Sequence, residues 1–432
     1  MKRIIDEKLI EWAKHQNRKP LILQGARQVG KTFAVKTLGQ AYFNNNIAVL
    51  DLEKKPEFRK IFNLDLDPKR ILEEIQIALQ TKIMPGKTLL FIDEIQTTPK
   101  AIMSLRYFYE EMPLLHVIAA GSLLEFAMQS ISFPVGRVQF LEMYPMNFYE
   151  FLLARANEPL IEYFLKSTEK FFETAHNSLK EELKKYFFVG GMPEAVKTYC
   201  LTQSLQETFA IHQNLIHSIR EDFSKYTPHV SEECLNMVLS STAQKVGQQL
   251  IYTHLTEGFS SITIKKAFYL LCKAQIIQKI PSTLPEGLPL GASASAKTFK
   301  AIMLDIGLMQ SLCGLRADQE YLQSNLINIY RGALAEQFVG QELRFTQENQ
   351  LYYWTRRAKS STAEVDYVIT KNSKIYPVEV KSGSAGHLKS VHIFLEKYIN
   401  SPHGYVFRDS IPQEISEYKL KIFPLYQVFL VT

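Results

Sequence analysis

Leu21-Ile-Leu-Gln24-Gly25-Ala26-Arg27-Gln28-Val29-Gly30-Lys31-Thr32-Phe33 is a short apolar run that opens into a loop framed by two glycines, and the rest of the chain is organised around it. Gly25 to Thr32 fits G-x-x-x-x-G-K-[ST] in full, with a strand-like Leu21–Leu23 before it and a helical pattern after it. A glycine-containing surface turn would match the same letters, but it would not need that strand and helix. Glycines at 25 and 30 let successive N–H groups curl around phosphate oxygens at a helix N-terminus. Gly25, Ala26, Arg27, Gln28, Val29, Gly30, Lys31, Thr32 and Phe33 are therefore the candidate cradle for the phosphates of ATP. Lys31 is expected to reach the β- and γ-phosphates, and Thr32 to place its hydroxyl on Mg²⁺.

Two later strand ends extend this chemistry. Thr88-Leu-Leu-Phe-Ile92-Asp93-Glu94 is an apolar run closing in two acids, the form of a Walker B segment. Asp93 would hold Mg²⁺ and Glu94 would polarise the attacking water, although acids also end strands as helix caps. Leu115 to Ala120 reads as a strand ending in Gly121-Ser122, where Ser122 either orients that water or caps a helix from Leu123 to Met128. Phe133-Pro-Val-Gly136-Arg137 offers an arginine for the γ-phosphate of a neighbouring subunit, with Arg106 and Arg27 as rivals.

The 432 residues exceed one ordinary core, and 46% hydrophobic with 22% charged residues is globular composition. No apolar run approaches the roughly 20 residues that span a bilayer, so a cytoplasmic protein away from the membrane is expected. Cys200, Cys234, Cys272 and Cys313 are far apart, which indicates neither a zinc ribbon nor a disulfide framework; they are expected to be reduced and mostly buried. A net charge of +6 is compatible with nucleic acid without demanding it.

The pattern divides the chain into four expected parts. Residues 1–155 alternate strands and helices, including Ile47–Leu52 as a strand and Ile71–Leu79 as a helix, and give a doubly wound α/β domain. Residues 156–230 turn helical, broken once by Tyr186-Phe-Phe-Val-Gly190-Gly191-Met192-Pro193-Glu194, and form a helical lid. Residues 231–310 hold helices near Cys234–Leu255 and Thr263–Ala274, a strand at Ile276–Ile280 and a loop over Pro281–Lys297. This is a winged-helix-like region with Lys265 and Lys266 near the start of its second helix, or equally a packing module.

Residues 311–432 carry a second constellation. Glu336 sits on a helix that begins near Arg331, Asp366 on an alternating strand from Ala363, and Glu379-Val380-Lys381 on the strand after it. Period two puts Glu379 and Lys381 on one face, with Asp366 approaching from the adjoining hairpin strand. These carboxylates make a hard oxygen site for Mg²⁺ or Mn²⁺, and Lys381 would activate water against a phosphodiester. This is the order of a PD-(D/E)XK nuclease, with Val365 where a proline often precedes the aspartate; an exposed charged hairpin or an inactive scaffold are the alternatives. Trp354, Arg356, Arg357 and Lys359 are positioned to stack on a base and to contact phosphates.

With both constellations in view, the sequence resembles a large group of bacterial and archaeal ATPases that join an AAA-type domain to a C-terminal domain of unknown function related to restriction-endonuclease-like folds. Gly25–Thr32, Phe91–Gln96, Ala120–Ser122, Gly136-Arg137, Gly190–Glu194, Leu304–Leu308, Gly332–Glu336 and Glu364 through Lys381 carry the resemblance across nearly the whole chain. It implies ATP binding with hydrolysis to ADP, an AAA-like core and a homo-oligomer. Two functions are then expected in competition. In one, a Mg²⁺-dependent ATPase controls a DNA-binding and DNA-cleaving C-terminal domain; in the other, a nucleotide-dependent oligomeric switch binds a partner through a C-terminal domain without catalysis.

Overall fold

The computed structural model describes residues 1–432 except 123, 125–132, 226–229, 296, 315–330, 348–349, 359–360 and 383–387. The helix expected over Leu123–Met128 and the phosphate contact expected of Lys359 thus fall largely or wholly outside the described residues. The chain divides into one compact unit of residues 1–145 with 273–275 and a second of residues 146–272 with 276–432.

In the first unit, strands β1 (Leu21–Gln24), β2 (Ile47–Asp51), β3 (Leu89–Asp93), β4 (His116–Gly121) and β5 (Gln139–Glu142) form a sheet in the order β2-β3-β4-β1-β5. Every pairing is parallel. β3 and β4 are buried at every residue, which is why they read as unbroken apolar runs rather than alternating ones. Leu90, Ile92, Val117 and Ala119 pack with Ile71 and Ile75 of helix Pro68–Leu79 and with Leu105 and Phe108 of helix Pro99–Glu111. The first of these helices starts at Pro68 behind Asp67, whose carboxylate accepts from the Lys69 N–H at 3.0 Å. β5 carries no signal in the sequence, being four residues long and half exposed.

The second unit opens with five helices, Phe148–Arg155, Glu158–Lys166, Glu173–Val189, Pro193–Thr202 and Leu205–Glu221. The sequence suggested one interruption, at 186–194. Instead the third helix runs to Val189, and additional breaks fall at 156–157, 167–172 and 203–204, with Asn157 and Ser204 capping the helices that follow. The break after Val189 is packing-driven. A Cβ on Gly191 would lie 1.9 Å from the Met146 carbonyl oxygen, and the Gly191 N–H donates to Asp305 Oδ2 at 2.6 Å. The other oxygen of Asp305 accepts from the N–H groups of Gly307 and Leu308. Two of the motifs behind the family resemblance, Gly190–Glu194 and Leu304–Leu308, therefore meet in one buried joint.

Helix Glu232–Gln244 ends eleven residues short of the expected Leu255, because the chain turns through Gly247 at φ 83° and closes in a short turn at Tyr252–His254. Helix Ser261–Lys273 follows, and then an antiparallel pair, β6 (Ile277–Pro281) with β7 (Phe299–Met303). The final residues form a six-stranded sheet from β8 (Tyr352–Ala358), β9 (Ser361–Lys371), β10 (Lys374–Val380), β11 (Gly404–Arg408), β12 (Gln413–Ile415) and β13 (Leu420–Pro424), ordered β12-β13-β11-β10-β9-β8. β9 and β10 are an antiparallel hairpin, whereas β10, β11 and β13 run parallel.

Helix Arg331–Thr346 is pinned against β7 by side chains that serve backbone groups. Gln337 accepts from the Met303 N–H at 2.8 Å and donates to the Met303 carbonyl at 2.9 Å. Gln341 accepts from the Ile306 N–H, and Arg344 donates to the Leu304 carbonyl at 2.7 Å. Glu342 accepts from the Phe148 N–H at 2.9 Å while buried beside Glu150, and burial pushes its carboxyl up to about 8. The folded chain therefore holds a proton that the unfolded chain releases near about 4.3. Stability from this group is greatest at acidic pH and falls by about 1.4 kcal/mol per pH unit from roughly pH 5 to 8. Glu342→Gln keeps an acceptor for Phe148 and is expected to flatten that slope in thermal unfolding followed against pH.

None of the four cysteines is in a disulfide; Cys234 is buried, and Cys200, Cys272 and Cys313 are half-buried rather than enclosed as expected. Among the described residues, no helix is long and apolar enough to cross a membrane.

Candidate functional site

β1 delivers Gly25 at its carboxyl end, with β4 on one side and β5 on the other, and open parallel sheets bind ligands outside the carboxyl ends of their strands. Gly25 is required by a close approach, since a Cβ there would sit 2.4 Å from the Met143 carbonyl oxygen. Gly30 turns at φ 99°, in the left-handed region, and starts helix Lys31–Tyr42 without any side-chain cap. The first N–H groups of that helix are thus left for an anion.

Lys31 is only 7% exposed, and its Nζ donates to the carbonyls of Gly25 at 2.9 Å and Ala26 at 2.8 Å. Burial pushes its pKa down to about 8, against the opposing pull of Glu94 and Asp93. The loop thus holds an ammonium in its bend with, among the described residues, no carboxylate bonded to it. Thr32 Oγ1 donates to Asp93 Oδ2 at 2.8 Å, which joins the residue after the lysine to the end of β3. Burial raises the Asp93 carboxyl, with the Thr32 hydrogen bond working the other way. Phe33, at the third helical position, is 59% exposed.

Glu94 adopts φ 52°, an uncommon left-handed conformation for a residue with a side chain and a kind of strain concentrated at functional sites. Its Oε2 accepts from the Gln96 side-chain amide. The other end of that amide, Gln96 Oε1, is buried with no partner among the described residues, and a Cβ on Gly121 would come within 2.3 Å of it. Ser122 Oγ is likewise buried without a partner. Gln96 went unrecognised as a site residue in the sequence, although its spacing from the acid pair, Asp-Glu-Ile-Gln, was there to be read.

Arg137 stands apart. It lies two residues before Gln139, which pairs with Leu21 at the amino end of β1, so it belongs to the sheet end opposite the loop. Its Nε donates to Glu110 Oε1 at 2.8 Å, and Arg106 shares the same oxygen at 3.1 Å. The two arginines line a surface groove of about 290 Å³ with Leu66, Met103, Tyr107 and Val135. Neither is placed to reach the nucleotide of its own chain.

In the second unit Glu379 lies beside Asp366 across the β9–β10 hairpin, as period two demands, and the Val380 N–H donates to Asp366 Oδ2 at 2.8 Å. At the centre, however, is a lysine that the sequence did not single out. Lys300 Nζ, on β7, lies 2.8 Å from Glu336 Oε1, 2.7 Å from Glu364 Oε1 and 3.2 Å from Asp366 Oδ1. Its side chain is 1% exposed. Burial opposes its charge, but Glu336, Asp366 and Glu364 together hold its pKa well above the ordinary value. Lys381 bonds Glu379 Oε1 at 2.6 Å. Burial pushes Glu336 up to about 7 and, with Asp366 adding to it, Glu379 up to about 8.

The residues at this second centre do not fit a divalent cation. The oxygens of Glu336 and Asp366 that converge are engaged by an ammonium, and among the described residues no group of three His, Cys, Asp or Glu side chains is arranged to hold a metal. Trp354 also departs from expectation. It is fully buried, donates from Nε1 to Tyr398 and meets Phe394 edge-on, so it cannot stack on a base. An irregular register between β8 and β9 at Tyr352/Trp354 turns both Tyr353 and Trp354 inward. Arg356 remains exposed, and the side chain of Arg357 lies outside the described residues.

Comparison with known proteins divides the chain in three. A family described as an AAA domain matches residues 17–152, and two domains of unknown function, DUF8612 and DUF4143, match residues 180–319 and 331–427. Similar solved structures include Drosophila ORC bound to DNA, at 12% identity over 72% of this chain and 95% of that one, with a TM-score of 0.29. The Thermotoga maritima RuvB Holliday junction branch migration motor matches at 14% identity over 64% and 89%, TM-score 0.30. AMPPCP-bound DnaA from Aquifex aeolicus matches at 13% over 63% and 87%, TM-score 0.27. Scores this low carry no functional weight on their own. No curated protein matches the chain significantly. Residues 17–152, with their G-x-x-x-x-G-K-T loop and parallel sheet, thus match an AAA domain.

Proposed function

We propose that the chain is a Mg²⁺-dependent ATPase that works as a homo-oligomer and whose nucleotide state governs its C-terminal half. The observation that carries this is the Thr32–Asp93 hydrogen bond of 2.8 Å behind an uncapped helix N-terminus, with the Lys31 ammonium held in the same loop. Thr32 and Asp93 are the residues that would hold Mg²⁺, which supplies charge neutralisation at the β- and γ-phosphates when bound. The amides of Gly25 to Phe33 bind the phosphates, and Lys31 exchanges its carbonyl partners for phosphate oxygens. Glu94, steered by Gln96, accepts the proton of the attacking water, and the partnerless Ser122 hydroxyl helps to orient that water. Arg137, at the far end of the sheet, serves a neighbouring subunit, with Arg106 sharing its Glu110 anchor.

For the C-terminal half, the Lys300 cluster favours the second expectation, a module that binds without cleaving. DNA is the proposed partner class: Lys265 and Lys266 are exposed on helix Ser261–Lys273, and Arg356 is exposed on β8. Phosphate release and solution mass, each measured with and without Mg²⁺, ATP and duplex DNA, test the whole. Mg²⁺-dependent turnover and an ATP-dependent rise in mass are expected. Assembly without turnover leaves only the switch, and the absence of both overturns the proposal.

A further inference from the structure

We propose that the carboxylate cluster of the C-terminal sheet takes no divalent metal, because the buried ammonium of Lys300 is its permanent cation. The inference deepens the non-catalytic reading of this half of the chain and does not depend on ATP hydrolysis. Its ground is the convergence of Glu336, Glu364 and Asp366 from a helix and a strand onto one Nζ of β7, at 2.7 to 3.2 Å. A hydrated Mg²⁺ or Mn²⁺ needs near-octahedral oxygens at about 2.0–2.1 Å, and it is repelled by a fixed positive charge in the same place.

The oxygen inventory leaves little to offer. Asp366 gives one oxygen to Lys300 and the other to the Val380 N–H. Glu336 gives Oε1 to Lys300, and Glu379 gives Oε1 to Lys381. Glu379 Oε2 is buried without a partner among the described residues, and like Glu336 Oε2 and Glu364 Oε2 it sits beside an oxygen already held by an ammonium. Lys381, tied to Glu379, is also not free to activate water. Lys300 has little room to withdraw, since its side chain is 1% exposed and β7 is itself held at Phe299 by Leu250 and at Met303 by Gln337. The cluster thus joins β7, helix Arg331–Thr346 and the β9 strand through one charge.

Mn²⁺ titration of the nucleotide-free full chain, read by the electron paramagnetic resonance signal of free Mn²⁺, tests this. Wild type and Asp366→Asn are expected to bind equal amounts of Mn²⁺. Lys300→Met, which vacates the ammonium but keeps the stem, is expected to gain one bound Mn²⁺ per chain, and adding Asp366→Asn is expected to remove it. A wild-type site that Asp366→Asn abolishes overturns the proposal, as does a folded Lys300→Met that gains nothing. If Lys300→Met does not fold, the wild-type and Asp366→Asn pair decides alone. Failure here would leave ATP turnover untouched, whereas loss of turnover in wild type would leave this result standing.

Discussion

Lys31→Ala is expected to lower ATP turnover by about 10²–10³-fold or more, the usual loss when a preorganised donor is taken from developing charge. The loop of the free protein already holds the ammonium in its bend, 2.9 and 2.8 Å from two carbonyls, so no rearrangement of the backbone is needed to present it. Those carbonyls gain nothing from alanine, and the substitution also removes a buried group with its pKa pushed down to about 8. Unfolding of the variant should be followed in parallel, so that lost turnover is read against an intact fold. Wild-type turnover in a folded Lys31→Ala would falsify the assignment of the loop.

Glu94→Gln separates binding from chemistry. The amide keeps the shape of the side chain and a partner for Gln96 but can no longer accept a proton, so turnover is expected to fall by about 10²–10⁴-fold. Nucleotide affinity should change little, because the contacts proposed to hold the phosphates come from residues 25–33 and those proposed to hold Mg²⁺ from Thr32 and Asp93. Equilibrium binding of a fluorescent ATP analogue, set beside steady-state phosphate release, distinguishes the two. Equal losses in both would mean that Glu94 binds rather than activates.

The phosphate loop was legible because its chemistry is local. Eight consecutive residues fix a turn, a helix start and a cation, and burial of β1 and β3 leaves a continuous apolar run that needs no tertiary knowledge to detect. The hairpin pairing of Asp366 with Glu379 was legible for the same reason, since strand period and a short turn set it. Lys300 was not. It lies 36 residues from Glu336 and 66 from Asp366, on a strand where a lysine would ordinarily face water. Packing of β7 against helices Arg331–Thr346 and Glu232–Gln244 and its pairing with β6 make it interior. Trp354 misled for a related reason: an alternating strand next to arginines suggests an exposed aromatic, and one shifted residue in the register reverses the face.

The outer margin of β7 has a further consequence. Both backbone groups of Phe299 are taken by Leu250, and both of Met303 by the carboxamide of Gln337. A bare margin would invite a foreign segment to zip alongside it and seed clumping. Here a side chain imitates a peptide group and stands guard over the place where such an intruder would register, so this hairpin is closed to templated growth at both of its anchor points.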